Sequence, residues 1–300
     1  MNPRRRALLG AMAGLATRAA FSQEKRMQSK PIPSTGEPLP VIGVGTWQTF
    51  DVGGDRAARA PLREVLRALA AGGGSVIDSS PMYGSSEGVA GDLVHELGLR
   101  DRLFVATKVW TSGRAEGIRQ MEESFRRLRV ERMDLMQVHN LVDVETQTRS
   151  ISDLKKQGRV RYIGITHYTS SAHAEVERRL KTRQYDFLQI NYSLAEREAE
   201  ERLLPLAREL NCAVLVNRPF AGSALFRRTK GKALPSWAAE LGIASWAQYF
   251  LKWIVSHPAV TCAIPGTGRA EHMLDNLAGG RGPMPDEAAR RRMQAHLDSL

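Results

Sequence analysis

The sequence predicts a single (β/α)8 barrel that is preceded by a small hairpin. Eight short apolar runs rich in β-branched residues alternate with longer segments of helical periodicity. These units occupy about 230 residues, a typical length for such a barrel. No G-x-G-x-x-G pattern follows the first strand, which argues against a doubly wound open sheet. The chain of 300 residues is 42% hydrophobic, enough to build a sizeable core in one domain.

The predicted elements follow in chain order. Residues 31–40 are rich in turn formers and predict the hairpin, with Thr35-Gly36 at its tip. The eight strands are predicted at residues 41–46, 75–78, 103–108, 133–139, 160–166, 187–191, 213–217 and 260–264.

Amphipathic periodicity predicts helices between these strands, among them residues 61–71 and 113–128. Ser236 is a candidate N-cap for one long helix that continues to about residue 257. A final helix is predicted from Asp286 to about residue 297. Gly98 and Gly158 follow helical segments, and we expect each to end its helix in the left-handed conformation.

The first residues of the chain differ from everything that follows. Arg4, Arg5 and Arg6 directly precede an Ala/Gly-rich apolar stretch that is too short to span a bilayer. This pattern predicts a twin-arginine export signal over residues 1–22, a linker over 23–30 and the barrel over 31–300. We therefore expect an exported or periplasmic protein that uses the twin-arginine machinery without stable membrane insertion. A disordered basic tail is the alternative, and it would leave the protein in the cytoplasm.

The charge and the cysteines exclude other classes of protein. The net charge is +11, but the residues through Lys30 contribute +6 of it, which leaves +5 for the remainder. That remainder shows no basic tract with interleaved aromatics, so nucleic-acid binding is not expected. Cys212 and Cys262 each lie in an apolar run and predict buried free thiols rather than a metal site.

Polar residues stand at the ends of the predicted strands, where barrels of this class carry their catalytic groups. Asp78 ends the second strand, Lys108 the third and His139 the fourth, and Tyr83 lies in the loop after Asp78. A lysine and an aspartate at neighbouring buried strand ends are costly unless they pair. We expect the ammonium to lower the pKa of Tyr83 and a neutral His139 to polarise a carbonyl. This set would protonate an oxygen, and the partner it needs is a source of hydride.

Several motifs resemble those of the aldo-keto reductase family, from about residue 30 to the C-terminus. They are "VIGVGTWQ", "VIDSSPMYGSSE", "ATKVW", "MDLMQVHN", "GRVRYIGITHY", "FLQINYS" and "IPGTGRAEHMLDN". The resemblance implies NAD(P)H bound across the C-terminal rim of a (β/α)8 barrel in a monomer. It also implies a tetrad of Asp78, Tyr83, Lys108 and His139, with Tyr83 as the general acid and with direct hydride transfer to a carbonyl carbon.

The resemblance further implies a set of cofactor-binding positions. They are Thr46, Trp47, Asp78, Thr166, His167, Gln189, Asn217, Arg218, Phe220, Gly266, Thr267, Arg269, His272 and Asn276. Gln189 matches the glutamine that binds the nicotinamide carboxamide, and Thr166-His167 replaces the usual Ser-Asn pair. Asn217 stands where the family often has a stacking tyrosine, so Arg218 is expected to compensate by pairing with the diphosphate. Arg269 is the cation available for a 2′-phosphate, which favours NADPH over NADH.

Two departures from the family pattern predict an open, shallow substrate pocket. The stretch between His139 and the fifth strand is short, and little chain follows the final helix. Trp47, Trp110 and Tyr168 are the expected walls around Tyr83 and His139, although Trp110 could instead pack into the barrel.

The sequence is therefore compatible with three functions. The first is an NADPH-dependent reductase of small aldehydes and ketones. The second is an NADP(H)-binding redox sensor or partner subunit with little turnover. The third is an aldolase or lyase in which Lys108 forms a Schiff base.

Overall fold

The computed structural model describes residues 26–300, and the predicted export signal over residues 1–22 lies outside the described residues. Eight parallel strands pair in sequence order and curl into a barrel. Bridges from Ile42 to Ala263 and from Gly45 to Gly266 bring the first and last strands of this barrel together. The predicted (β/α)8 architecture with an N-terminal hairpin is confirmed.

The strands agree closely with the prediction in the middle of the chain. They are β1 (Ser29–Pro31), β2 (Pro38–Pro40), β3 (Val44–Gly45), β4 (Val76–Asp78), β5 (Phe104–Val109), β6 (Met133–His139), β7 (Val160–Thr166), β8 (Phe187–Asn191), β9 (Ala213–Asn217) and β10 (Cys262–Ala263). The first and last barrel strands, β3 and β10, are shorter than predicted. Pro265 contributes to this because it has no N–H to donate to a ladder, although its carbonyl still accepts from the N–H of Gly45.

The hairpin of β1 and β2 closes the N-terminal end of the barrel. Ile32 and Leu39 belong to the same buried cluster as Phe104, Leu135 and other side chains that fill the barrel interior. The hairpin begins earlier than predicted, because residues 29 and 30 already pair with β2. Before the hairpin, Met27 forms an isolated β-bridge with Arg281, near the C-terminus of the chain. Residues 27–30, which the sequence assigned to a linker, are therefore part of the folded barrel.

Helices follow the strands around the outside of the barrel. They are α1 (Arg56–Ala71), α2 (Ser86–Glu96), α3 (Arg114–Leu128), α4 (Val144–Lys156), α5 (His173–Leu180), α6 (Leu203–Glu209), α7 (Ala224–Thr229), α8 (Trp246–Ser256), α9 (Ala270–Ala278) and α10 (Glu287–Asp298). Short 3-10 helices lie at Arg100–Arg102, Ser170–Ala172, Glu198–Glu200 and Ser236–Leu241. Over residues 26–300, none of the helices combines the length and hydropathy needed to cross a bilayer.

Two helix predictions differ from the structure because of their caps. Helix α1 begins before residue 61, since the carboxylate of Asp55 accepts hydrogen bonds from the N–H groups of residues 57 and 58. The long helix predicted from Ser236 is wrong. Its first part is a 3-10 helix that ends at Gly242, which has a φ of 63°, and Ser245 caps the separate helix α8.

Other local predictions are confirmed. Gly98 and Gly158 have φ values of 61° and 76°, so each adopts the expected left-handed conformation. Asp286 caps the final helix through the N–H of Ala289. Cys212 and Cys262 are buried free thiols.

Candidate active site

Asp78 is the hub of a buried hydrogen-bond network at the C-terminal rim of the barrel. Its Oδ2 accepts a hydrogen bond from Lys108 Nζ at 2.6 Å. Its Oδ1 accepts from Gln137 Nε2 at 3.1 Å and from Gln189 Nε2 at 2.8 Å. All of these side chains are almost fully buried. The carboxylate therefore uses both oxygens and is held in one orientation.

Lys108 is a completely buried ammonium with two acceptors. Besides Asp78, its Nζ donates to the backbone carbonyl of Ser79 at 2.7 Å. Burial lowers the pKa of Lys108, but the negative charge of Asp78, together with Tyr83, outweighs burial and raises the pKa above the ordinary value. Lys108 is therefore a fixed positive charge, 4.9 Å from the centre of the Tyr83 ring.

Gln137 supports this network, although it was not predicted as a site residue from the sequence. It lies opposite Lys108 in the pairing of β5 with β6, and opposite Gly164 in the pairing of β6 with β7. A Cβ at Gly164 would come within 2.9 Å of the Gln137 side chain. The glycine thus makes room for the glutamine to reach Asp78. The signal was the two-residue spacing to His139, which places Gln137 on the same face of the strand.

The loop that carries Tyr83 is fastened to the loop after β3. Asp51 Oδ1 accepts from the N–H of Ser85 at 2.8 Å and from its hydroxyl at 2.7 Å. Gly84, between Tyr83 and Ser85, has a φ of 58°, and a Cβ there would collide with the Asp51 carboxylate. Tyr83 also turns back on itself, since its N–H donates to the carbonyl of Ser80 at 3.0 Å. These contacts direct the phenol ring over the barrel mouth.

His139 lies beside Tyr83 and is neutral. The two rings meet edge to face with their centres 5.8 Å apart. Burial, and then the nearby charges of Lys108 and His167, lower the pKa of His139 to about 2. Its Nδ1 is 2.9 Å from the hydroxyl of Ser80, a residue that the sequence analysis did not single out as a site residue. The expected neutral histidine is therefore present.

The pKa of Tyr83 differs from the prediction. The sequence suggested that Lys108 would lower it, but burial outweighs the attraction of the ammonium and raises the pKa above its ordinary value. The physical reason is that a buried phenolate loses its hydration, and this loss outweighs the attraction of the Lys108 ammonium, which also pairs with Asp78. In this state Tyr83 keeps its proton.

Two predicted cofactor positions join the same rim. The hydroxyl of Thr166 donates to Gln189 Oε1 at 3.2 Å, and the two residues face each other across β7 and β8. Thr46 is tied to the backbone of Asp78, since its N–H donates to the backbone carbonyl of Asp78 at 3.0 Å. These residues are buried, and Gln189 links Thr166 to the Asp78 carboxylate.

The residues after β7 and β9 form a second group. Asn217 Nδ2 donates to the carbonyl of His167 at 3.0 Å. Asn217 Oδ1 is buried and has no hydrogen-bond partner among the described residues. Arg218 lies next to it with a φ of 50° and forms a 2.8 Å ion pair with Glu196. Phe220, another predicted cofactor position, packs against Phe226 with the ring centres 4.7 Å apart.

The predicted adenosine end lies before and within α9. The hydroxyl of Thr267 accepts from the N–H of Arg269 at 3.1 Å and so orders the turn before the helix. The guanidinium of Arg269 is exposed and pairs with Glu271. The remaining predicted residues of this segment divide by exposure: Gly266 and His272 are exposed, whereas Asn276 is buried.

The predicted pocket walls are open to solvent. Trp47 and Trp110 are 52% and 43% exposed, so the alternative that Trp110 packs into the barrel is wrong. Trp110 leans over the site, with its ring centre 6.5 Å from that of His139. Tyr168, 48% exposed, stacks on His167 with the planes 5° apart. Large apolar groups exposed at a site rim are typical of ligand-binding surfaces.

Comparisons with known proteins agree with this geometry. Residues 41–295 match the Aldo/keto reductase family. Methylglyoxal reductase YeaE of Escherichia coli (strain K12) is 31% identical over 260 residues, which cover 84% of this chain and 89% of that protein.

Two solved structures of aldo-keto reductases from Klebsiella pneumoniae superpose on the same barrel. One, in complex with NADPH, is 27% identical with a TM-score of 0.76, and the match covers 90% of this chain and 96% of that one. The other, in complex with NADP and acetate, is 26% identical with the same TM-score, over 91% and 95% of the two chains. The protein described here is a member of the aldo/keto reductase family.

Proposed function

We propose that this protein is an NADP-dependent oxidoreductase that reduces small aldehydes and ketones to alcohols, with Tyr83 as the general acid. One observation carries the proposal. The ring of Tyr83, which keeps its proton, has the buried ammonium of Lys108 4.9 Å from its centre and the centre of the neutral His139 ring 5.8 Å away. A proton donor next to a fixed positive charge is suited to an oxygen on which negative charge develops.

The roles follow from the contacts. When bound, NADPH would supply the hydride that the carbonyl carbon accepts. His139 hydrogen-bonds the carbonyl oxygen, and Tyr83 transfers its proton to that oxygen as the charge forms. Lys108 stabilises the phenolate that remains, and Asp78 keeps Lys108 in place through the 2.6 Å ion pair. Because burial raises the pKa of Tyr83, the proton is present at neutral pH before the reaction.

The residues around the rim fit a nicotinamide. Its carboxamide group offers two N–H donors and one acceptor. The buried Oδ1 of Asn217 lacks a donor among the described residues, and it lies in the group that includes His167. Thr166 and Gln189 provide a hydroxyl and an amide on the neighbouring strands. Asn217, His167, Thr166 and Gln189 would therefore hold the carboxamide.

NADPH is favoured over NADH for this chain. The relative from Klebsiella pneumoniae with the same barrel was solved with NADPH. In this chain Arg269 places an exposed guanidinium just before α9, where it could contact a 2′-phosphate. Its partner Glu271 is equally exposed, so the ion pair is weak and can be exchanged for a phosphate.

Small carbonyl compounds are the proposed substrates. The relative from Escherichia coli is a methylglyoxal reductase, and the pocket here is bordered by the exposed side chains of Trp47, Trp110 and Tyr168. An open aromatic rim admits small aldehydes and ketones and gives few polar contacts to larger polar ones.

The Schiff-base alternative is disfavoured by the state of Lys108. An amine must lose its proton to attack a carbonyl. Here both the ion pair with Asp78 and the raised pKa keep Lys108 protonated, and the amine is completely buried.

A substrate panel tests the proposed function. Purified protein is mixed with NADPH and with methylglyoxal, benzaldehyde or a small ketone, and the loss of NADPH absorbance is followed. We expect turnover with at least one aldehyde. Tight NADPH binding without turnover on the whole panel would contradict the proposal and favour the redox-sensor alternative.

We also propose that the twin arginines direct export of the folded protein. Arg4, Arg5 and Arg6 before an apolar stretch support this. Cell fractionation tests it: the wild-type chain should appear outside the bacterial cytoplasm, and the Arg4→Lys, Arg5→Lys, Arg6→Lys triple variant should stay inside. Equal distribution of both chains would refute the export signal.

A further inference from the structure

Ser80 makes a direct contact with the proposed substrate-polarising histidine. Its hydroxyl oxygen lies 2.9 Å from His139 Nδ1, and its side chain is completely buried. Ser80 follows strand β4 by two residues, whereas His139 ends β6, so the contact reaches past the intervening strand β5. Nothing in the acid–base roles described above uses Ser80.

Proton counting gives the direction of this hydrogen bond. A serine hydroxyl has one proton to donate and two lone pairs that can accept. Among the described residues, the partners of the Ser80 oxygen are His139 Nδ1 and the N–H of Met82, which is 3.4 Å away. The N–H is itself a donor, so Nδ1 is the acceptor within reach of the hydroxyl proton.

The opposite direction is unfavourable. If Nδ1 carried the proton, the buried hydroxyl of Ser80 would lack an acceptor among the described residues, and an unpaired buried donor is costly. The other ring nitrogen, Nε2, would then present a lone pair to the substrate oxygen and repel it. A doubly protonated ring is also disfavoured, because His139 is buried and lies near the ammonium of Lys108.

We propose that Ser80 is a positioning residue that holds His139 in the tautomer with the proton on Nε2, so that Nε2 donates a hydrogen bond to the carbonyl oxygen of the substrate. The inference rests on the proposed carbonyl reduction. Ser80 touches neither substrate nor cofactor; it acts through the hydrogen bond that its hydroxyl donates to Nδ1 of His139. The residue thus determines whether His139 attracts or repels the reacting oxygen.

The Ser80→Ala variant tests this role, with Ser150→Ala as the matched control. Ser150 is also a buried serine, but its hydroxyl donates to the carbonyl of Thr146 within its own helix. Nitrogen-15 NMR of the histidine rings reports the tautomer directly in the cofactor-free protein. Turnover with the best aldehyde of the panel and the affinity for NADPH are measured beside it.

We expect the wild-type and Ser150→Ala proteins to show His139 with a protonated Nε2 and a bare Nδ1. In Ser80→Ala the two tautomers should mix, and kcat should fall about fivefold, the change that corresponds to one uncharged hydrogen bond of about 1 kcal/mol. The affinity for NADPH should not change. A merely structural serine would not alter the tautomer.

A proton on Nδ1 in the wild-type protein would overturn the proposal, and so would an unchanged tautomer and kcat in Ser80→Ala. The spectrum does not depend on turnover. If no carbonyl compound were reduced, the proposed function would fail while the NMR result still decided the role of Ser80.

Discussion

The carboxylate of Asp78 lies 2.6 Å from the ammonium of Lys108, and both side chains are shielded from solvent. Two charges in such a place are stable only as a pair with further hydrogen bonds. Gln137 and Gln189 supply those bonds to Asp78, and the carbonyl of Ser79 supplies one to Lys108. The pair thus fixes a positive charge beside the ring of Tyr83.

Removing the negative charge of the pair should destabilise the protein. Asp78→Asn keeps the shape but leaves the Lys108 ammonium without its counter-charge. We expect the free energy of unfolding to fall by about 3–5 kcal/mol, measured by urea denaturation. Asp153→Asn is the control, because its ion pair with Arg114 is exposed and should contribute little. Equal stability of Asp78→Asn and wild type would show that the buried pair is not a structural necessity.

Glu87 should make stability depend on pH. Burial raises its pKa above the ordinary value of 4.5, although Thr107 donates a hydrogen bond to Oε1 and opposes the shift. A raised pKa in the folded state means that the stability contributed by the protonated acid is complete below pH 4.5 and is lost as pH rises. Glu87→Gln removes that loss.

The expected result is that Glu87→Gln gains in unfolding free energy over wild type as pH rises from 4.5 to 8, measured by denaturant titration at both values. Glu64→Gln, on the exposed side of α1, controls for the loss of one negative charge. A difference between Glu87→Gln and wild type that stays constant with pH would contradict the raised pKa.

His139 should remain neutral throughout the working range of the protein. Its pKa of about 2 lies far below the ordinary 6.5, so the ring takes up a proton only in strong acid. The stability that depends on the neutral ring is therefore present above pH 6.5 and declines as pH falls below it. NMR should show no titration of the His139 ring between pH 5 and 9. A midpoint inside that range would refute a neutral carbonyl-polarising histidine.

Arg269 should discriminate between the two nicotinamide cofactors. If its exposed guanidinium contacts the 2′-phosphate, Arg269→Gln should weaken NADPH binding about tenfold and leave NADH binding unchanged. Fluorescence titration of both cofactors measures this. Arg291→Gln is the control, since Arg291 also forms an exposed ion pair but belongs to the final helix. Equal losses for NADPH and NADH would place the 2′-phosphate elsewhere.

The strand ends of this barrel were predictable because each polar residue interrupts a buried apolar run. Asp78, Lys108 and His139 each stand at or within one residue of the end of an observed strand. The strand ends alone did not point to Ser80, which lies two residues beyond β4, or to Gln137, which lies inside β6 and shows only in its two-residue spacing from His139.

Other features depended on energies that a sequence does not display. The direction of the Tyr83 pKa required burial to be weighed against the charge of Lys108, and burial proved larger. The break in the predicted long helix depended on Gly242 adopting a positive φ and on Ser245 offering a better cap than Ser236. Competing caps of similar type cannot be ranked from composition alone.

The central claim is that Tyr83 donates the proton, and Tyr83→Phe tests it most directly because only the phenol oxygen is removed. Tyr185→Phe is the control, since its hydroxyl contacts that of Thr148 outside the rim network. The measurement is the single-turnover rate of NADPH oxidation with the best aldehyde of the panel. We expect this rate to fall about 100- to 10,000-fold in Tyr83→Phe, with NADPH affinity and folding unchanged. Wild-type rates in Tyr83→Phe would contradict it.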